Sequence, residues 1–164
     1  MPMGPAVARC ATWARIAARS FTLTQEHPPA VTTPRQISDK RPDRDDAARR
    51  LALTAARVAD ETRASDVRVL DLRGLTEVFD YFVVATGSSR RQLHAIADEI
   101  EKVVKAELHD RKRGSEGYEE GRWIVLDYGD VMVHLFDAEA REYWDIEHLW
   151  SGAKLVSLPA GAAR

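Results

Sequence analysis

The chain has 164 residues, of which 45% are hydrophobic, with 24 Lys/Arg, 26 Asp/Glu and a single cysteine. That length supports one domain around one core. A lone Cys10 excludes an internal disulfide framework and fits a reducing compartment. No stretch nears the roughly 18 apolar residues of a membrane span, so no membrane association is expected.

The net charge of −2 conceals a gradient. Residues 1–50 carry nine Lys/Arg and five Asp/Glu, residues 51–113 eleven of each, and residues 114–164 four Lys/Arg and ten Asp/Glu. A surface that neutralises phosphates is basic. An acidic final third points to a basic partner, such as a protein.

In chain order, residues 1–42 hold six of the seven prolines and little hydrophobic periodicity, and they read as a disordered tail. The stretch MPMGPAVARCATWARIAARSF carries Arg9, Arg15 and Arg19 with no acid before Glu26. That composition fits an organellar targeting peptide in residues 1–25. A bacterial tail from a GC-rich gene, or an upstream start site, is the favoured reading and places the protein in the bacterial cytoplasm. The globular domain is expected over residues 43–155 and a flexible tail over 156–164. Apolar residues at Leu51, Ala55, Val58 and Ala59 recur at helical spacing behind Asp45 and Asp46. VRVLDL (67–72) reads as a strand, and Arg73-Gly74 opens a loop. YFVVAT (81–86) is apolar throughout, as in a central strand buried on both faces. Ser88 or Ser89 can cap the long helix that follows, whose Leu93, Ile96, Ala97, Ile100 and Val104 share one face. RKRGSEGYEEG (111–121) is a loop with room for a short edge strand. WIVLDYGDVMVHLF (123–136) is a hairpin, and AEAREYWDIEHLW (138–150) a final short helix. The order α-β-β-α-β-β-α gives an α/β domain with a small mixed β-sheet flanked by helices.

If Tyr128-Gly129 is the hairpin tip, Ile124 opposes Val133 and Leu126 opposes Val131 on a uniformly aliphatic core face. The other face then carries Trp123 across from His134, Val125 across from Met132, and Asp127 across from Asp130, with Phe136 extending it. Two acids are not buried without partners, and a Trp beside Met and Val is the composition of a binding patch. A second reading stands beside this one: the final helix covers the face, Trp123 is ordinary core, and His134 is a satisfied histidine.

DYFVVATGSSRRQLHAIADEIE (80–101) resembles the first signature of the ribosomal silencing factors, the Iojap family, and residues 123–150 resemble their second. The likeness runs from about residue 47 to 155. It departs from the pattern at Phe79-Asp80, where a small polar residue is usual before the aspartate, and at Trp144, where tyrosine is more usual. The resemblance implies a nucleotidyltransferase-like fold without catalysis or cofactor. It further implies a protein that binds the large ribosomal subunit at ribosomal protein L-fourteen and blocks joining of the small subunit under nutrient limitation. Organellar relatives assist large-subunit assembly instead. The family's contact surface uses the second-signature tryptophan, here Trp123. Asp127 and Asp130 would offer carboxylates to a basic ribosomal protein, with Tyr128, Met132, His134, Tyr143 and Trp144 as further contacts. Trp150 is expected to pin the last helix to the core. A homodimer of the free protein through the same aromatic patch is compatible with this reading.

Two rivals follow from the residues. A nucleotidyltransferase-like enzyme would use Gly87-Ser88 to cradle phosphate, and Asp137 with Glu139 at i,i+2 on a strand to hold a divalent metal. Asp137 falls at the strand's end, which weighs against it. Arg90-Arg91 and Arg111-Lys112-Arg113 could touch ribosomal RNA as a secondary contact. His27, His94, His109, His134 and His148 show no paired ligand spacing, so no metal is expected.

Overall fold

Helix α1 (Pro42–Glu61) turns an alanine-rich face inward, with Ala52, Ala55, Ala56 and Ala59 each at 0% exposure beside Leu51 and Val58. Small side chains let its backbone lie close to the sheet, so that it packs on α2 (Arg90–Glu107), β2 (Tyr81–Thr86) and β1 (Ser65–Asp71). These elements belong to a computed structural model that describes residues 42–158. The tail and targeting readings of residues 1–41 lie outside the described residues, as do residues 159–164.

The remaining elements are β3 (Gly114–Glu116), β4 (Trp123–Asp127), β5 (Val131–Phe136), α3 (Ala138–Trp144), α4 (Ile146–Leu149) and β6 (Lys154–Leu155). They form an α/β fold with a six-stranded mixed sheet in the order β3-β4-β5-β2-β1-β6. The central pair β2–β5 is parallel and all other neighbours are antiparallel. The apolar run of β2 sits at that centre, buried on both faces. Helices α1 and α2 cover one face, where Val83, Ile124, Leu126, Val133 and Leu135 form the main core. The other face carries a smaller core of Leu70, Phe82, Trp123, Val125, Met132 and Phe136 under Ile146. Ser89 caps α2, accepting from the Gln92 N–H at 3.2 Å. The edge strand foreseen in residues 111–121 is β3.

The final helix is two helices, not one. Asp145 sits at φ 38°, ψ 56°, in the left-handed region. Its N–H closes α3 on the Arg141 carbonyl, and its side chain accepts from the His148 N–H to cap α4. Aspartate tolerates this conformation better than most residues because its short polar chain bonds locally. The break folds Ile146 and Trp150 down onto the sheet. Asp145→Ala is therefore expected to cost about 1–2 kcal/mol in urea unfolding, from the lost cap and the left-handed backbone. A loss no larger than that of an exposed helix substitution would contradict this account.

The chain stays engaged beyond β6. The Val156 N–H donates to the Val69 carbonyl at 2.9 Å, and Val156 and Leu158 pack on the core. No described helix is long and apolar enough to cross a membrane.

Candidate functional site

The β4–β5 hairpin closes on Gly129-Asp130 rather than Tyr128-Gly129. The Tyr128 N–H bonds the Val131 carbonyl at 3.0 Å, and Gly129 takes φ +89°. Glycine at the first turn position is the placement a type II′ turn favours. The Asp127 carboxylate fixes it, accepting from the Gly129 N–H at 2.6 Å. The register consequently differs by two residues from the expected one: Trp123 opposes Phe136, Val125 opposes His134, and Asp127 opposes Met132. A two-residue slip preserves which side chains share a face, so the division into an aliphatic face and a mixed face holds. Two residues do change place. Tyr128 joins the core under α1 and α2 at 5% exposure, where burial pushes its hydroxyl pKa up. Asp130 lies in the turn, not on the mixed face, and forms a two-pronged ion pair with Arg44 of α1 at 2.5 and 2.7 Å.

On the mixed face Trp123 is 3% exposed. Its ring stacks on Phe136 at 5.0 Å and lies 5.1 Å from Trp144, whose other side meets Tyr143 edge-on. Trp144 is half-buried against this core, while Tyr143 is exposed. Trp150 packs edge-on against Phe82 at 5.7 Å, as expected of a residue that pins the last helix. Trp123 is thus covered, as the second sequence reading expects, with Trp144 of α3 against it, and a groove lies beside it.

That groove, of about 210 Å³, runs between β4–β5, the Phe79 loop and α4. Its walls are apolar, and Met132 and His134 line it with Trp123 and Val125. His134 is 6% exposed, and its Nδ1 accepts from the indole N–H of Trp123 at 3.3 Å. Burial holds its pKa down to about 3, so the ring is neutral. With Nδ1 acting as acceptor, the single proton sits on Nε2. At the rim stand Asp127 and the exposed Glu116 of β3, and neither forms an ion pair with a described residue. Sequence reasoning missed Phe79, Glu116 and Leu149 as members of this site. Glu116 was visible only as part of a loop with room for a short edge strand, and the other two needed the break at Asp145 and the β1–β2 loop to bring them in.

The features of the enzyme reading are otherwise engaged. Strand β5 ends at Phe136, so Asp137 caps α3 and Glu139 lies in its first turn, off any strand face. Arg122 pairs with both, at 2.9 and 2.7 Å. The Ser88 N–H and hydroxyl both donate to Gln92 Oε1. Among the described residues no group of three or more His, Cys, Asp or Glu is placed to hold a metal ion. The basic runs are divided: Lys112 pairs with Glu101 at 2.7 Å, Arg90 bonds the Glu119 carbonyl, and the Arg113 fork lies against Gly129.

Residues 45–163 match the family model described as "Ribosomal silencing factor during starvation". The ribosomal silencing factor RsfS of Bacillus subtilis is 41% identical over 107 residues, covering 65% of this chain and 90% of that protein. The chloroplastic protein Iojap of Zea mays is 30% identical over 144 residues, covering 87% of this chain and 62% of that one. Among solved structures, protein CV0518 from Chromobacterium violaceum aligns with a TM-score of 0.58 at 38% identity, covering 73% of this chain and 95% of that one.

Proposed function

The chain belongs to the ribosomal silencing factor family, and on that premise we propose that it represses translation by docking on the large ribosomal subunit at ribosomal protein L-fourteen. The small subunit then cannot join when nutrients are short. The observation that carries this reading is the groove on the mixed sheet face. It is apolar, and its two rim carboxylates, Asp127 and Glu116, have no described cationic partner. A basic protein surface would satisfy them, and charge-assisted bonds of that kind are the stronger ones. Ten acids against two basic residues over positions 114–150 would steer the encounter. Tyr143, at 73% exposure, and Leu149, at 45%, extend the contact area outward. Trp123 supports the surface from beneath. Occlusion needs no turnover and no cofactor, and a bacterial cytoplasm is the compartment in which it would act.

Co-sedimentation with separated ribosomal subunits tests the reading. Wild type is expected to travel with the large subunit alone. Asp127→Lys is expected to weaken binding at least about tenfold, by setting like charges together. Asp130→Lys is expected to do less, because its carboxylate is held by Arg44 and an exposed pair of this kind contributes only about 0.2–1 kcal/mol. Lys102→Ala, on a solvated helix face, is the control. Equal losses for Asp127→Lys and Lys102→Ala would remove the docking face from consideration. Binding only to immature large-subunit particles would turn the reading toward an assembly factor.

A further inference from the structure

Asp127 and Glu116, at the rim of the groove, form no ion pair with a described residue, and the walls include the apolar Phe82, Val125, Met132 and Ile146. At about 210 Å³ the groove is smaller than the roughly 300–1,000 Å³ of a site for a drug-sized ligand, and suits one large side chain. Its complement is therefore one apolar group flanked by cations.

The chain that precedes Pro42, outside the described residues, has that chemistry. Residues 1–41 hold six Lys/Arg against Glu26 and Asp39. Within them, RCATWARIAARSF (9–21) sets Trp13, Ile16 and Phe21 among Arg9, Arg15 and Arg19, with no acid. The described chain also begins at the fitting end of the sheet. Arg44, in the first turn of α1, is paired with Asp130 of the β4–β5 turn at 2.5 and 2.7 Å. The Asp130 carbonyl accepts from the Asp80 N–H at 2.8 Å, and the neighbouring Phe79 lines the groove. Asp127, at the base of the same turn, lines it too. Helix α1 covers the opposite face, so the preceding chain has only to round this end of the sheet. The twenty residues 22–41 span roughly 20–30 Å as a flexible chain, ample for that path. A second copy docked face to face is a poorer occupant, since it would bring the two acidic rims together.

We propose that residues 9–21 fold back into this groove, with Trp13 entering it and the arginines meeting Asp127 and Glu116, so that the free protein masks its own docking face. The masking rests on the docking reading above; the contact itself does not. A segment tethered this way competes at an effective concentration of about 1 mM. If it binds the groove at about 0.1 mM, it lowers the affinity of any other occupant about tenfold.

The test uses the full-length chain labelled at its methionine methyl groups. Met132 lines the groove and is one of only three methionines, so its signal reports occupancy. Trp13→Ala, and the triple change Arg9→Glu, Arg15→Glu and Arg19→Glu, lie outside the domain core. Both are expected to move the Met132 signal, and both to bind purified large subunits about tenfold more tightly than wild type. Loss of positive charge by itself would weaken attachment to an RNA-rich particle, so the sign separates unmasking from simple electrostatics. An unmoved Met132 signal in both variants overturns the contact, whatever the ribosome assay shows. A wild-type signal that shifts on dilution places the segment in a second copy's groove and overturns the intramolecular contact. A moved signal with unchanged affinity overturns the masking. A moved signal with no binding of any form to large subunits keeps the contact and overturns the docking reading instead.

Discussion

Trp123→Ala is expected to remove about 3–5 kcal/mol from the stability of the domain, the range for truncating a buried aromatic. The indole is 3% exposed and packs against Phe136 and Trp144. It also supplies the only described donor to His134 Nδ1, so its loss leaves a buried acceptor unmet. Domains of this size hold about 5–15 kcal/mol in total, so the variant sits near its threshold and its melting temperature should fall by roughly 15 °C or more. Ribosome binding should fall with it, because the groove floor goes. Denaturant unfolding beside co-sedimentation separates the two effects. Trp123→Phe keeps most of the packing, and should cost less than half as much stability while retaining part of the binding. If Trp123→Ala were folded and stable yet failed to bind, the indole would be a direct contact rather than the support described here.

The second large effect is a pH dependence centred on His134. In the unfolded chain this group takes a proton near its ordinary 6.5, but in the fold burial holds the value down to about 3. Between those limits the unfolded state binds the extra proton, so stability falls as pH is lowered through the window. The slope is about 1.4 kcal/mol per pH unit at most, and the contribution is constant above pH 6.5. Protonation of the folded form is doubly unfavourable, since a second ring proton would displace the Trp123 N–H from Nδ1. Carboxylates also titrate below about pH 5, so the informative quantity is the difference from His134→Gln, which keeps the acceptor but does not titrate. Urea unfolding at a series of pH values should show the wild type losing about 2–3 kcal/mol more than His134→Gln between neutrality and about pH 4.5. Parallel curves would mean that His134 reaches solvent.

The sheet elements were legible because their physics is local. A run such as YFVVAT has no polar side to turn outward, so it could only be central. The alternation within residues 123–136 assigned every side chain of both strands to its face, and the face assignment survived even though the register did not. The register depended on whether Gly129 takes the first or the second turn position, and that choice is made by a carboxylate reaching back to one N–H. Asp130 left the mixed face for the same reason, and its partner Arg44 lies 86 residues away, at a distance no periodicity reports. The groove was legible only in part. Trp123, Met132 and His134 announced a composed surface, but its far wall depends on the left-handed backbone at Asp145, which a helical spacing pattern reads straight through.

The parallel pairing of β2 with β5 has a consequence for how this protein is made. Tyr81 is hydrogen-bonded alongside Val131, and Thr86 alongside Phe136, so the middle of the sheet lacks one neighbour until most of the chain exists. A nascent chain with β1, β2 and both long helices emerged still exposes the flank of its most apolar strand. Pairings of such sequence separation form late and slowly, and leave sticky edges while they wait. The groove is later still, since its wall includes Trp150. The groove on the mixed sheet face is thus incomplete until Trp150 has been added, and the docking proposed for it waits on that segment.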